Sequence, residues 1–197
     1  MSSKPDDAIW AWRHPRPDHV TGVCIGRTDV AVDPRRARRL ARQIQRVARA
    51  NQLPHEIWTS PLRRCSDVGR WLRRWGWVHH IDAALLEMNF GTWDGERWDE
   101  IAHAEVNAWN ADFANCAPGG GESVNALLKR AAAWRSDDGR LVVAHAGWMR
   151  ARRWGEINRA AAPTSNAFPA TPAYGALWRL RASAQSATRS SHPVSSP

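Results

Sequence analysis

Short apolar runs recur along this chain, and each hands over to helical spacing. "AIWAW" (8–12), "HEIWTS" (55–60) and "GRLVVA" (139–144) are rich in Trp, Ile and Val. Runs of that length and composition mark buried strands, and Pro15 and Pro17 stop the first one because proline cannot donate to a ladder. "WVHHI" (77–81) is a further strand-like piece, and "AYGALWRL" (173–180) alternates Tyr174, Ala176 and Trp178 as an edge strand does. Between these runs the apolar period changes. A helix is predicted from about Arg35 to Asn51, with Asp33 as N-cap, Pro34 at the first turn and a stripe of Ala37, Leu40, Ala41, Ile44, Val47 and Ala48. Leu62, Cys65, Val68 and Leu72 predict a second helix. Trp98, Ala102, Val106, Trp109 and Phe113 predict a third, Val124, Leu127, Leu128 and Ala131 a fourth, and a last follows His145-Ala146-Gly147. Strands alternating with helices predict an α/β fold: a three-layer sandwich with a mostly parallel central sheet and helices on both faces.

With 197 residues, 43% of them hydrophobic, the chain holds one full core. The expected organisation is a loose polar leader (1–7), one domain (8–181) and a Ser/Ala/Pro-rich tail (182–197) too poor in apolar residues to fold. No apolar stretch approaches the roughly 20 residues of a membrane span, and the polar start "MSSKPDDA" does not read as a signal peptide. The expected location is the cytoplasm. Three cysteines are too few and too widely spaced for a disulfide framework or a zinc knuckle; Cys65 belongs to a helix stripe, which leaves Cys24 and Cys116 as the exposed candidates.

A net charge of +9 points to an anionic partner or to a solubilising arginine surface. A nucleic-acid-binding module would use the arginines of 35–49 and the thirteen tryptophans. Those tryptophans fall at apolar strand and helix positions, which is where core residues sit, so nucleic acid is the lesser reading.

In open α/β sheets, ligands sit beyond the carboxyl ends of the strands. Three such ends here carry Arg13-His14, Ser60-Pro61-Leu62-Arg63-Arg64 and His145-Ala146-Gly147. Neutral imidazole is a nucleophile at pH 7, arginine forks suit phosphate oxygens, and a helix starting after Gly147 would aim its amides at the same anion. That is the equipment of phosphoryl transfer. Taken singly, each of these residues is as well explained by packing.

The ordered set Arg13-His14, "GRTD" (26–29), "TSPLRRC" (59–65), "LLEMNFGTWDG" (85–95), "PGGGES" (118–123) and "VVAHAG" (142–147) resembles the phosphoglycerate-mutase-like branch 1 of the histidine phosphatase superfamily, over about residues 9 to 180. The resemblance implies a phosphomonoester hydrolase working through a phosphohistidine, without metal or cofactor, on a small phosphorylated substrate. It implies His14 as nucleophile, Glu87 as acid/base and His145 as the second pocket histidine. Arg13 and Arg64 become phosphate-pocket arginines, with small Ala146 beside His145. Within the superfamily the opening "RHP…GVCIGRTDVAV" looks most like α-ribazole phosphatase-type proteins of cobalamin assembly, which implies α-ribazole 5′-phosphate as substrate.

The chain departs from that pattern at Pro15-Arg16-Pro17, where the family has Gly, often followed by Glu and Thr. Pro15 removes an amide that would otherwise face the phosphate, and Arg27 is the candidate replacement. The same departure motivates a member that binds phosphate without turnover. A metal phosphoesterase at His79, His80 and Asp82 is the further rival, short of ligands. Only about 34 residues separate Glu87 from Glu122, which leaves little for a lid and favours a phosphatase over a mutase.

Overall fold

The computed structural model describes residues 8–135, 141–157 and 161–181; the leader and the tail lie outside the described residues. Five strands stand among the described residues: β1 Ala8–Arg13, β2 Glu56–Thr59, β3 Val78–Ile81, β4 Leu141–Ala144 and β5 Leu177–Arg181. They form one sheet in the order β3-β2-β4-β1-β5, parallel throughout except for β5, which runs antiparallel to β1. The helices are α1 Pro34–Ala50, α2 Arg63–Arg74, α3 His103–Ala111, α4 Val124–Ala133 and α5 Ala146–Ile157.

Successive side chains on a strand point to opposite faces, and this alternation divides the core. Ile9 and Ala11 of β1 join Val142 and Ala144 of β4 on the face covered by α4 and α5. Trp10 and Trp12 join Leu141 and Val143 on the face covered by α1 and α2. The sheet is therefore the middle of three layers, as the strand–helix alternation predicts. Asp33 caps α1 by accepting from the Arg35 amide at 2.7 Å, with Pro34 in the first turn. Ala37, Leu40, Ala41, Ile44 and Ala48 are buried, while the arginines at 35, 38, 39, 42, 46 and 49 face solvent. Trp71 of α2 lies under the guanidinium groups of Arg38 and Arg74. Of the thirteen tryptophans, Trp10, Trp12, Trp77, Trp93, Trp134, Trp148 and Trp154 are buried, and Trp98 stands out at 40% exposed.

Three sequence expectations are corrected. The helix expected over Trp98–Phe113 shrinks to His103–Ala111, because residues 95–98 bond to the loop after β1 instead. Cys24 N–H donates to Glu96 O at 2.8 Å, Trp98 N–H to Gly22 O at 2.9 Å and Gly95 N–H to Cys24 O at 2.8 Å. The same pairing buries Cys24 with Trp93 and Ile101, so Cys24 is not exposed. Finally, β5 begins only at Leu177; Tyr174 sits in the preceding turn, where Gly175 has φ +74° and its N–H donates to Arg13 O at 3.1 Å.

Arg152 fastens the layer opposite α1. Its buried guanidinium donates to the carbonyls of Ala131 (2.7 Å) and Trp134 (2.8 Å), where α4 ends, and to Arg181 O (3.2 Å) on β5. Replacing it with a chain of similar length strands those acceptors away from water. Arg152→Met is expected to cost roughly 3 kcal/mol in urea unfolding while leaving turnover at 25 °C unchanged. A loss well under 1 kcal/mol would show that water reaches these carbonyls.

Candidate active site

β1 and β4 pair in parallel, so their next residues emerge side by side: the His14 amide donates to Ala144 O at 3.0 Å, and the His14 and His145 ring centroids are 5.0 Å apart. His14 Nδ1 lies 2.8 Å from Pro15 O. A carbonyl only accepts, so Nδ1 carries the proton and Nε2 holds the lone pair. Burial, with the Arg64 guanidinium next, pushes His14 well below the ordinary histidine value despite its bond to Pro15. The imidazole is therefore neutral at pH 7. Pro15 has lost an amide, but its carbonyl fixes the tautomer.

Arg64, in the first turn of α2, is 1% exposed. Its Nε–H donates to His145 Nδ1 (3.2 Å), and its terminal nitrogens donate to Thr28 O (2.8 Å) and Gly26 O (2.5 Å). Since His145 Nδ1 accepts, its Nε2 carries the hydrogen and donates to Ser60 Oγ at 2.8 Å. His145 too is held well below the ordinary value, by burial first and then by Arg64. The loop supplying those carbonyls is folded around Asp94, whose carboxylate accepts from the amides of Gly26, Arg27 and Thr28.

Glu87 is 8% exposed, and backbone amides grip its carboxylate: Met88 N–H at 2.9 Å and Gly147 N–H at 3.1 Å. The start of α5 thus spends its Gly147 amide on Glu87, where the sequence suggested a phosphate. Arg130 locks the same segment, donating to the carbonyls of Ala84, Leu86 and Glu87 while paired with Glu122 at 2.8 Å. "PGGGES" allows this because its backbone runs against "NFG": a Cβ on Gly91 would lie 1.9 Å from Gly119 O.

These groups meet at a cavity of about 470 Å³ whose lining includes Arg13, His14, Arg64, Glu87 and Ala146. His145 and Arg27 are not among the lining residues. His145 lies fully buried behind Arg64, and Arg27 is 3.8 Å from Glu122. The cavity adds two residues that sequence reasoning passed over. Arg150, one turn into α5, donates to Pro169 O at 2.5 Å and lies over Phe168. Tyr174 covers Arg13, its ring centroid 3.7 Å from the guanidinium carbon and 5.5 Å from the His14 ring. Burial lowers both Arg13 and Arg150 from the ordinary arginine value, and both stay charged. Arg13 Nε is a buried donor without a protein acceptor. The short segment after Glu87 also does more than expected, since Phe90, Trp98, Trp109 and Phe113 wall the cavity.

The rival metal set does not converge. His79 Nε2 is 2.8 Å from Thr59 Oγ1 and its pKa falls to about 4 through burial and nearby arginines. His80 pairs with Glu56 at 2.6 Å, and Asp82 accepts from the Ala84 amide and Trp134 Nε1.

The parallel strands β1 and β4 thus deliver a neutral histidine beside the buried Arg64, an arrangement suited to binding a phosphoryl group. The model of the histidine phosphatase superfamily (branch 1) matches residues 9–164, and the chain belongs to that family. It is a phosphoric monoester hydrolase of that class. No curated protein matches it in sequence. Among solved structures it is similar to the mycobacterial glucosyl-3-phosphoglycerate phosphatase Rv2419c (26% identity over 76% of this chain and 78% of that one, TM-score 0.61). It shares its fold with the protein TTHB049 from Thermus thermophilus (20% identity, 88% and 99% covered, TM-score 0.63). The same holds for a putative alpha-ribazole-5′-P phosphatase from Escherichia coli (20% identity, 80% and 82% covered, TM-score 0.64). No helix among the described residues is long and apolar enough to cross a membrane.

Gly147 offers a clean probe of the carboxylate. A Cβ there would sit 2.1 Å from Glu87 Oε1, while the helical backbone itself accepts alanine readily. Gly147→Ala is expected to lower phosphomonoester turnover about a hundredfold by displacing Glu87, with no loss of melting temperature. Full activity would mean that the position of Glu87 is not critical.

The depressed histidines also set a pH dependence. The unfolded chain takes up protons near pH 6.5 and the folded one resists them. Stability is therefore complete above about 6.5 and drains as the pH falls below it. Urea unfolding between pH 8 and 5 should show that decline, less steep in His14→Asn. Equal slopes in the two proteins would contradict the burial of a neutral His14.

Proposed function

We propose that the chain hydrolyses phosphomonoesters without metal, through a phosphohistidine on His14. The observation that carries this is the His14 imidazole, neutral, with Nδ1 tied to Pro15 O and the ring lining a cavity with Arg13, Arg64 and Glu87. Nε2 attacks phosphorus and the ester P–O bond breaks. Arg13 and Arg64 stabilise charge on the non-bridging oxygens, with Arg13 Nε gaining the acceptor it lacks. Glu87, in its carboxylic acid form, gives its proton to the leaving alcohol, and the carboxylate so formed takes one back from the water that attacks the phosphohistidine. The P–N bond breaks, inorganic phosphate leaves and His14 returns neutral. His145 accepts from Arg64 Nε and helps hold it in place, and Arg150 is a third cation in the lining.

The physiological substrate we put first is α-ribazole 5′-phosphate, in cobalamin assembly. The likeness of the sequence opening to α-ribazole phosphatase-type proteins supports it, as does the shared fold with the Escherichia coli protein. Glucosyl-3-phosphoglycerate is the second reading, favoured by the 26% identity to the mycobacterial phosphatase. Steady-state assays on the two esters decide between them.

His14→Ala is expected to reduce turnover at least a few thousandfold, and EDTA to leave the wild type active. Rapid-quench labelling with a ³²P-ester should trap an acid-labile adduct that His14→Ala lacks. A variant keeping a tenth of the activity, or an enzyme silenced by EDTA, would sink the scheme.

A further inference from the structure

Besides the charged groups already described, the cavity has an apolar stretch of lining where the loop after β1 meets the segment after Glu87 through the bridge between Val23 and Arg97. Val23, Ile25, Phe90, Trp98, Trp109 and Phe113 line it. Phe90 meets Trp98 and Trp109 edge-on, with ring centroids 6.0 and 6.2 Å apart, so the three rings pack into one aromatic cluster. Trp98 remains 40% exposed, an unusual state for the largest apolar side chain in a protein that buries most of its tryptophans. Among the described residues, Glu87 is the only carboxylate in the lining.

We propose that this wall receives the alcohol half of the substrate, and that the enzyme selects phosphomonoesters whose alcohol carries a flat apolar ring, with Trp98 as a specificity-determining residue. The proposal rests on the phosphatase reading and adds the class of leaving group. A ring seated there removes apolar surface from water on both partners, which discriminates by about thirtyfold against an alcohol too small to reach the wall. A polyhydroxylated alcohol gains less, because it has less apolar surface to bury against the rings. Trp98 suits the part, since its exposed indole can be covered by a ligand without repacking the core.

Phosphonates test this without hydrolysis, because the C–P bond survives whether or not the enzyme turns over. Calorimetry on the wild type should find naphthylmethylphosphonate bound about thirtyfold more tightly than hydroxymethylphosphonate. In Trp98→Ala that ratio should fall at least fivefold, with the melting temperature confirming the fold. A wild-type ratio within threefold of one, or a ratio that Trp98→Ala leaves unchanged, overturns the proposal. If the ratio behaves as expected but no phosphate ester is hydrolysed, the wall is confirmed as a ring-binding surface and it is the phosphatase reading that fails.

Discussion

Arg64 is a charge that the fold has taken out of water and answered only with neutral partners. Its hydrogen bonds go to two backbone carbonyls and one imidazole nitrogen, and among the described residues none goes to a carboxylate. Burying a cation in this way is costly, and much of the surrounding structure exists to make it tolerable. The loop at 26–28 curls around Asp94 so that two carbonyls face inward. Ser60 turns His145 so that a lone pair is available to Arg64. Burial first, and then the Arg64 charge, keeps His14 and His145 neutral, as the nucleophile role proposed for His14 requires. In the proposed reaction a dianionic phosphoryl group would supply the negative charge that the protein withholds.

Glu87 shows the complementary economy. A carboxylate beside so many arginines could collapse into an ion pair, yet its oxygens are held by the amides of Met88 and Gly147. Arg130 spends its charge on Glu122 and its remaining donors on the carbonyls of the Glu87 segment. The ion pair of Arg130 and Glu122 is thereby kept apart from Glu87, which stays in the cavity lining for the proton-carrying role proposed for it.

The fold was legible because it is encoded locally. Strand runs, the Asp33–Pro34 start of α1 and the alternation of Trp10 and Trp12 with Ile9 and Ala11 each follow from neighbours in sequence. Arg13, His14, Arg64 and Glu87 were legible because they stand at strand ends or in an ordered motif. Tyr174 and Arg150 were not, since their roles come from contacts across the fold, with Arg13, Pro169 and Phe168. Gly175 was the available hint that Tyr174 lies in a turn. The overlong third helix and the misplaced Cys24 share one cause. Two loops pair backbone to backbone, and no period in either one announces the other.

The central claim is that burial and the nearby arginines hold His14 as a neutral imidazole, while the Pro15 carbonyl fixes its lone pair on Nε2. Long-range ¹H–¹⁵N correlation spectra of histidine-labelled protein, recorded from pH 8 to 5.5, read both protonation and tautomer at each ring. The account predicts a neutral His14 throughout, protonated at Nδ1, and a neutral His145 protonated at Nε2. An imidazolium at position 14 near pH 7, or a His14 protonated at Nε2, would contradict it.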